Sequence, residues 1–166
     1  MKRVAILAST AVLALGTVIA FAQAKPSFAG KWTLVADPNA APAGGGRGGG
    51  GFGGLGQGGT IVQDDKTLKI TTSTQAGDVT RSYNLDGSDS KNTMSFGGNS
   101  IDQVSKAKWD ASKLVITTTV NFGGNASETA MTLSLDASGS LVVESTRPDF
   151  QGGGAPIKTS MTYKKG

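Results

Sequence analysis

The chain has no cysteine and no histidine, and only Glu128 and Glu144 are glutamate. Without cysteine there is no disulfide, so stability has to come from apolar burial and strand pairing. Without histidine the commonest general base and metal ligand is missing, along with every Ser-His or Cys-His nucleophile. Glu128 and Glu144 fall on the polar faces of two separate expected strands, and nothing sets them opposite each other as a glycosidase requires. These absences argue against an enzyme and leave no cofactor or metal to expect. Aromatic residues make up 6% of the chain, too few for the two girdles of an outer-membrane barrel. The ending Lys164-Lys165-Gly166 also differs from the aromatic close of that class.

Positive charge is modest. The formal charge is +4, and the sequence pI of 9.4 reflects few acids rather than a basic patch. Nucleic-acid surfaces cluster Lys and Arg with aromatic residues between them. Only Lys106 with Lys108 and the Lys164-Lys165 pair come near this, and solvated strand faces account for both. No nucleic-acid partner is expected.

The first residues carry an address. Met1-Lys2-Arg3 is basic, the run from Val4 to Phe21 is apolar, and Ala22-Gln23-Ala24 has the small-x-small form of a cleavage site. This is the pattern of a signal peptide over residues 1–24, with cleavage before Lys25, rather than of an uncleaved anchor. A secreted or periplasmic protein without stable membrane insertion is expected. Residues 25–166 then form one domain, long enough for a sizeable core.

Within that domain four aspartates open short polar turns, at Asp64, Asp86, Asp110 and Asp136, spaced 22, 24 and 26 residues apart. That spacing suits a two-stranded hairpin with its links. Between the turns apolar and polar residues alternate, and threonine is abundant. The alternation predicts ten strands: 28–35, 60–64, 67–74, 79–85, 92–96, 101–109, 113–122, 128–135, 141–147 and 157–163. One wet face and short turns favour an all-β, antiparallel up-and-down barrel of about 8–10 strands. Residues 39–59 hold nearly half of the 25 glycines and read as a flexible loop. Gly56-Gln57-Gly58-Gly59-Thr60 lacks the lysine of a phosphate loop, and Arg47 alone does not make an RNA-binding Arg-Gly segment.

Phe28-x-Gly30-x-Trp32 resembles the opening of the calycins, the lipocalins and the intracellular fatty-acid-binding proteins. In those families the tryptophan plugs one end of an antiparallel barrel, which makes Phe28, Gly30 and Trp32 the expected plug here. The likeness to fatty-acid-binding proteins continues in Trp109-Asp110-Ala111-Ser112-Lys113-Leu114-Val115 and in the ending Thr162-Tyr163-Lys164-Lys165. Secreted bacterial proteins of unknown role are similar as well. Two departures stand out. The glycine-rich loop replaces the helix pair of the fatty-acid-binding type, and Met161 stands where that type carries an arginine for a carboxylate.

Small barrels either fill their interior or hold one small ligand. Arg81 and Arg147 each share a strand face with apolar neighbours. Each guanidinium either points inward at an anionic headgroup or sends its charge to water along a surface-lying stem. Tyr83 and Tyr163 are either hydroxyl donors to the same ligand or core aromatics with the hydroxyl at a rim. Trp109 is either a stacking surface for a ligand or part of the core. The remaining motifs are weaker. Asp86, Ser88 and Asp89 lack the alternate spacing and closing glutamate of a calcium loop. Ser88-Asp89-Ser90-Lys91 has the Ser-x-x-Lys spacing of penicillin-recognising enzymes but falls in a hairpin turn. Asn125-Ala126-Ser127 is a glycosylation sequon only in a eukaryotic secretory route.

The function expected from these residues is non-enzymatic binding or carriage of a small apolar or amphipathic molecule, by analogy of fold. The alternative is a structural or protein-interaction module of the cell envelope, with the barrel filled and the protein partner unknown.

Overall fold

Apolar residues at every second position, with turn formers between the runs, leave a chain little choice but to pair each strand with the next. The computed structural model describes residues 25–35, 54–75, 77–96, 98–122, 124–149 and 154–166. The expected signal peptide and residues 39–53 of the glycine-rich stretch lie outside them. Ten strands form: β1 (Gly30–Leu34), β2 (Gly58–Gln63), β3 (Thr67–Thr74), β4 (Gly77–Asn84), β5 (Ser90–Phe96), β6 (Asn99–Asp110), β7 (Lys113–Phe122), β8 (Asn125–Leu135), β9 (Leu141–Arg147) and β10 (Ile157–Lys165). All neighbours are antiparallel, in the order β4-β3-β2-β1-β10-β9-β8-β7-β6-β5. β1 pairs with β10, and β4 lies beside β5. The result is the nearly closed up-and-down barrel that the alternation predicts.

Strict up-and-down travel sorts the turns by chemistry. The links that begin at Asp64, Leu85, Ala111 and Asp136 all fall at one end, here the aspartate end. The links at Gln75, Gly98 and Gly124 fall at the other, the glycine end, as do the last residues of β1 and β9 and the first of β2 and β10. At the aspartate end three carboxylates replace missing ladder partners. Asp64 accepts from the backbone N–H groups of Lys66 (2.8 Å) and Thr67 (2.7 Å). Asp86 accepts from Ser88 N–H at 2.8 Å. Asp136 accepts from the N–H groups of Ser138 (2.8 Å) and Ser140 (2.9 Å). The Asp110 turn works differently: Ala111 takes the left-handed conformation at φ 52°, so a two-residue loop sets Asp110 opposite Lys113.

The plug motif is legible atom by atom. Trp32 and Phe28 are buried, and the Trp32 indole Nε1–H donates to the Phe28 carbonyl at 2.8 Å. Gln63 then fixes the approach to β1, accepting from Phe28 N–H at 2.8 Å and donating to the Pro26 carbonyl at 3.2 Å. Gly30 has φ 147°, a conformation that L side chains rarely adopt, and a Cβ there would meet only the flexible end of the Lys165 side chain. Phe28 stacks on Trp109 with ring centroids 5.8 Å apart. Leu68, Leu114, Leu133 and Leu141 fill the space above and are fully buried. Each such side chain contributes about 1.5–3 kcal/mol.

The boundary of the glycine-rich loop differs from the expectation. β2 begins at Gly58, inside the stretch 39–59 read as loop, and Leu55 is buried in the core. The physical reason is close approach. Gly58 has φ 151°, and a Cβ there would collide with the Trp32 carbonyl oxygen, so these glycines are strand residues that let β1, β2 and β3 come together.

Two predictions follow from this geometry. Gly58→Ala should lose more than about 1 kcal/mol of stability in urea melts, whereas Gly98→Ala, where a Cβ meets nothing within 4 Å, should lose less. Acid should also destabilise the fold through the turns. The Asp64 carboxyl is held below the ordinary 3.8 by the Lys66 and Thr67 donors. The Ser88 hydroxyl and N–H do the same for Asp86, and the Ser138 hydroxyl with the Ser140 N–H for Asp136. A depressed folded value adds stability above pH 3.8 that disappears as pH falls through that value. The melting temperature should therefore drop below pH 3.8, and Asp136→Ala should lower it at pH 7 while shrinking the further acid-induced drop.

Candidate functional site

The barrel interior has two tiers. From the aspartate end upward, β3 presents Leu68 and Ile70 and then Thr72, and β7 presents Leu114 and Ile116 and then Thr118. Running downward, β8 presents Ser127 and Thr129 before Met131 and Leu133, and β4 presents Arg81 before Tyr83 and Leu85. On β9, Leu141 and Val143 give way to Ser145 and Arg147. On these strands the inward residues change character toward the glycine end, which gives an apolar lower tier with a belt of polar side chains above it. β5 runs the other way, from buried Ser90 to buried Met94, and β7 returns to a buried Val120 beyond Thr118.

Arg81 belongs to that belt. It is 6% exposed and stands opposite Ile70, with Thr72 diagonal to it on β3. The surface-lying alternative for this arginine is therefore overturned. Tyr83, one inward position below, packs against Leu68, its partner in the ladder, and forces Arg81 to the same side of the sheet. Among the buried polar residues described, Arg81 carries the formal charge, and Thr72, Ser90, Gln103, Ser105, Thr129 and Ser140 are the neutral ones. Some belt groups satisfy one another. Ser105 and Thr118 share a hydroxyl hydrogen bond of 2.8 Å, and Gln103 Nε2 donates to Met94 Sδ at 3.1 Å. Others do not: the Thr72 and Ser127 hydroxyl oxygens are buried without a hydrogen-bond partner. Such groups cost about 1–3 kcal/mol when left unsatisfied, which makes the upper tier a place where a polar guest would be welcome.

The five residues singled out from the sequence do not converge on one site. Arg81 and Tyr83 are inward neighbours on β4. Arg147 is half-buried at the glycine end of β9, opposite Ile157. Trp109 lies at the far, aspartate end, stacked on Phe28 and capped by the Lys25 ammonium 5.5 Å from its ring centre. Its face is thus occupied by the protein's own side chains. Tyr163 is fully buried, and its hydroxyl donates to the Gly56 carbonyl at 3.1 Å, pinning the residues that lead into β2. Phe28, Gly30 and Trp32 form the plug described above. The belt hydroxyls of Ser105, Thr118, Ser127 and Thr129 went unnoticed in the sequence, because threonine and serine at alternate positions look the same on a wet outer face; Thr72 shares its face with Leu68 and Ile70 already in the alternation.

The outside of the barrel carries a concavity of about 350 Å³ over β8, β9 and β10, lined by Ala130, Thr132, Glu144, Thr146, Lys158 and Ser160 among others. Small side chains on three adjacent strands make it shallow. Glu128 and Glu144 are both exposed on strand exteriors. Among the described residues no three His, Cys, Asp or Glu side chains come together.

Burial raises both tyrosine phenols. Tyr83 is pushed up by its surroundings, with the Arg81 charge pulling the other way, and Tyr163 is pushed up to about 12. A raised folded value adds stability that is complete below the ordinary 10 and is lost as pH rises through 12. Tyr163→Phe should remove part of the alkaline destabilisation between pH 10 and 12. At pH 7 it should lose about 0.5–1.5 kcal/mol, the worth of its hydrogen bond to Gly56; urea melts at both pH values measure this. In comparisons with known proteins, no family model and no curated protein matches the chain.

Proposed function

We propose that this protein is a non-enzymatic binder of a small amphipathic molecule, working outside the cytoplasm, and that its barrel is of calycin type. The observation that carries the reading is the two-tier interior: a buried arginine among hydroxyls and an amide, directly above an apolar floor. An amphipathic guest with an anionic group matches that division, since a guanidinium forms paired hydrogen bonds to carboxylate or phosphate oxygens. Thr72 and Ser127 add hydroxyls that have no other partner in the structure. The plug motif Phe28-x-Gly30-x-Trp32 and the pairing of first with last strand support the calycin comparison. Passing from such a fold to a carrier role is analogy, and the belt is the part specific to this chain.

A second reading has its own support. The lower tier is filled by side chains, and a concavity of about 350 Å³ lies on the outer wall. A structural or protein-interaction module of the envelope would use that exterior and leave the interior closed.

Thermal shift separates the two. At a hundredfold excess over Kd, medium-chain carboxylates should raise the melting temperature of the protein lacking residues 1–24 by about 5–10 °C. The matching alcohols should have little effect, and Arg81→Gln should abolish the response to the acids. No shift from any amphiphile would remove the binder reading and leave the interaction module.

A further inference from the structure

Sulfur occurs in this chain as four methionine thioethers and no thiol. Met1 lies in the expected signal peptide. Met94 and Met131 are 7% and 4% exposed, whereas Met161 on β10 is half-buried at the edge of the core. The Met161 thioether faces a hydroxyl that is shared. Tyr163 carries a single phenolic proton and has two acceptors, the Gly56 carbonyl at 3.1 Å and Met161 Sδ at 3.3 Å. A thioether is the weaker acceptor, so the carbonyl holds the proton. That bond secures more than one residue. Gly56 sits at φ 57° in the turn that enters β2, and Gly58 N–H closes this turn by donating to the Leu55 carbonyl at 3.0 Å. Gln57 accepts from Leu34 N–H at 3.0 Å, and Leu55 is fully buried in the core.

We propose that Met161 is a site of oxidative modification by peroxides, and that its sulfoxide releases the Leu55 turn by drawing the Tyr163 proton away from Gly56. With hydrogen peroxide, a sulfur lone pair attacks one oxygen, the O–O bond breaks as an S–O bond forms, and the other oxygen leaves as water. Sulfur is oxidised and the peroxide reduced, so no further reactant is needed. Three observations single out Met161. It is the most accessible of the three thioethers described, for Met131 belongs to the core and the buried Met94 already accepts from Gln103 Nε2 at 3.1 Å. The new oxygen also arrives on an atom 3.3 Å from the phenol. Methionine's three rotatable bonds let that oxygen settle at hydrogen-bond distance. A sulfoxide is polar where a thioether is apolar, so it competes with an amide carbonyl as the thioether does not. Lastly, burial pushes the Tyr163 phenol up to about 12, so at neutral pH its proton is always there to be redirected. Once the proton moves, the Gly56 carbonyl loses its side-chain partner and the turn keeps only its backbone bonds. Methionine sulfoxide reductases reverse the oxidation, which makes the pair a switch. None of this requires a bound ligand.

The first test uses the unaltered protein. In a hydrogen peroxide titration, peptide mass spectrometry should find the added oxygen on Met161 about tenfold sooner than on Met94 or Met131. Amide exchange at Gly58, whose N–H closes the turn, should then rise about tenfold and return to its former rate after reductase treatment. Oxidation of Met94 or Met131 ahead of Met161 would overturn the site, and unchanged exchange at Gly58 would overturn the release. The second test reads melting temperature. Protein oxidised at Met161 should melt about 2–6 °C lower, as expected for one hydrogen bond in a domain of this size. Met161→Leu should show no such drop with peroxide. Tyr163→Phe has no proton to redirect, so its Met161 sulfoxide should lower the melting temperature about half as much or less. An equal drop in Tyr163→Phe would mean that the sulfoxide acts by its bulk, and would overturn the switch through Tyr163. A drop in Met161→Leu would place the damage elsewhere and overturn Met161 as its source.

Discussion

The barrel depends on the closure of its first strand against its last. That junction has only three residue pairs, Trp32 with Lys165, Thr33 with Lys164 and Leu34 with Tyr163. Backbone pairing that short is marginal without packing to support it. Support comes from the side chains on both strands: Trp32 and Tyr163 are buried, and the indole and the phenol each donate to a backbone carbonyl outside the junction. Around this point the chain uses glycine twice: at Gly58, where a Cβ would collide with the Trp32 carbonyl and separate β1 from β2, and at Gly30, whose φ of 147° disfavours any other residue. If the junction were lost, the ten strands would form an open sheet with its apolar face in water.

The interior then follows from where several of its strands change from Leu, Ile, Val and Met to Thr, Ser, Gln and Arg. The change falls on their glycine-end half, and antiparallel register aligns it into a belt. A fully apolar interior would be more stable, because buried hydroxyls without partners bring a cost and no packing gain. The belt gives up stability on one side of the molecule, as functional sites commonly do. The same trade is visible at the junction of β4 and β5, where side-chain bonds replace a ladder.

Much of the fold could be read from residues. All ten strands were legible because alternation is strong, and β3, β7 and β9 begin and end at the predicted residues. β4, β6 and β8 each start two or three residues earlier than alternation suggests. Their first residues are Gly77, Asn99 and Asn125, turn formers that carry no apolar signal yet pair in tight hairpins. β2 starts early for the related reason that Gly58 and Gly59 pair as strand. Leu55 looked like loop because glycines surround it, although it is core. Of the site, the plug was visible in Phe28-x-Gly30-x-Trp32; for Arg81 the sequence showed the face shared with Tyr83 and Leu85, while its burial at 6% exposure came only with the structure. The bonds of the Asn92 carboxamide to the Ser82 backbone, from β5 to β4, were not legible: an asparagine bonding to a backbone across a strand junction has no local pattern, only a tertiary one.

Trp32 and Trp109 are the two tryptophans of the chain, and their positions have a consequence for how folding would be seen. Trp32 belongs to the closing strand, and Trp109 stacks on Phe28 just before it. The remaining hairpins form between residues close in sequence, whereas the join of first to last strand closes the longest loop in the molecule and bears the largest entropic barrier. Intrinsic fluorescence therefore reports the completion of the ring rather than the appearance of β-structure, and should lag behind far-ultraviolet circular dichroism whenever the hairpins assemble first.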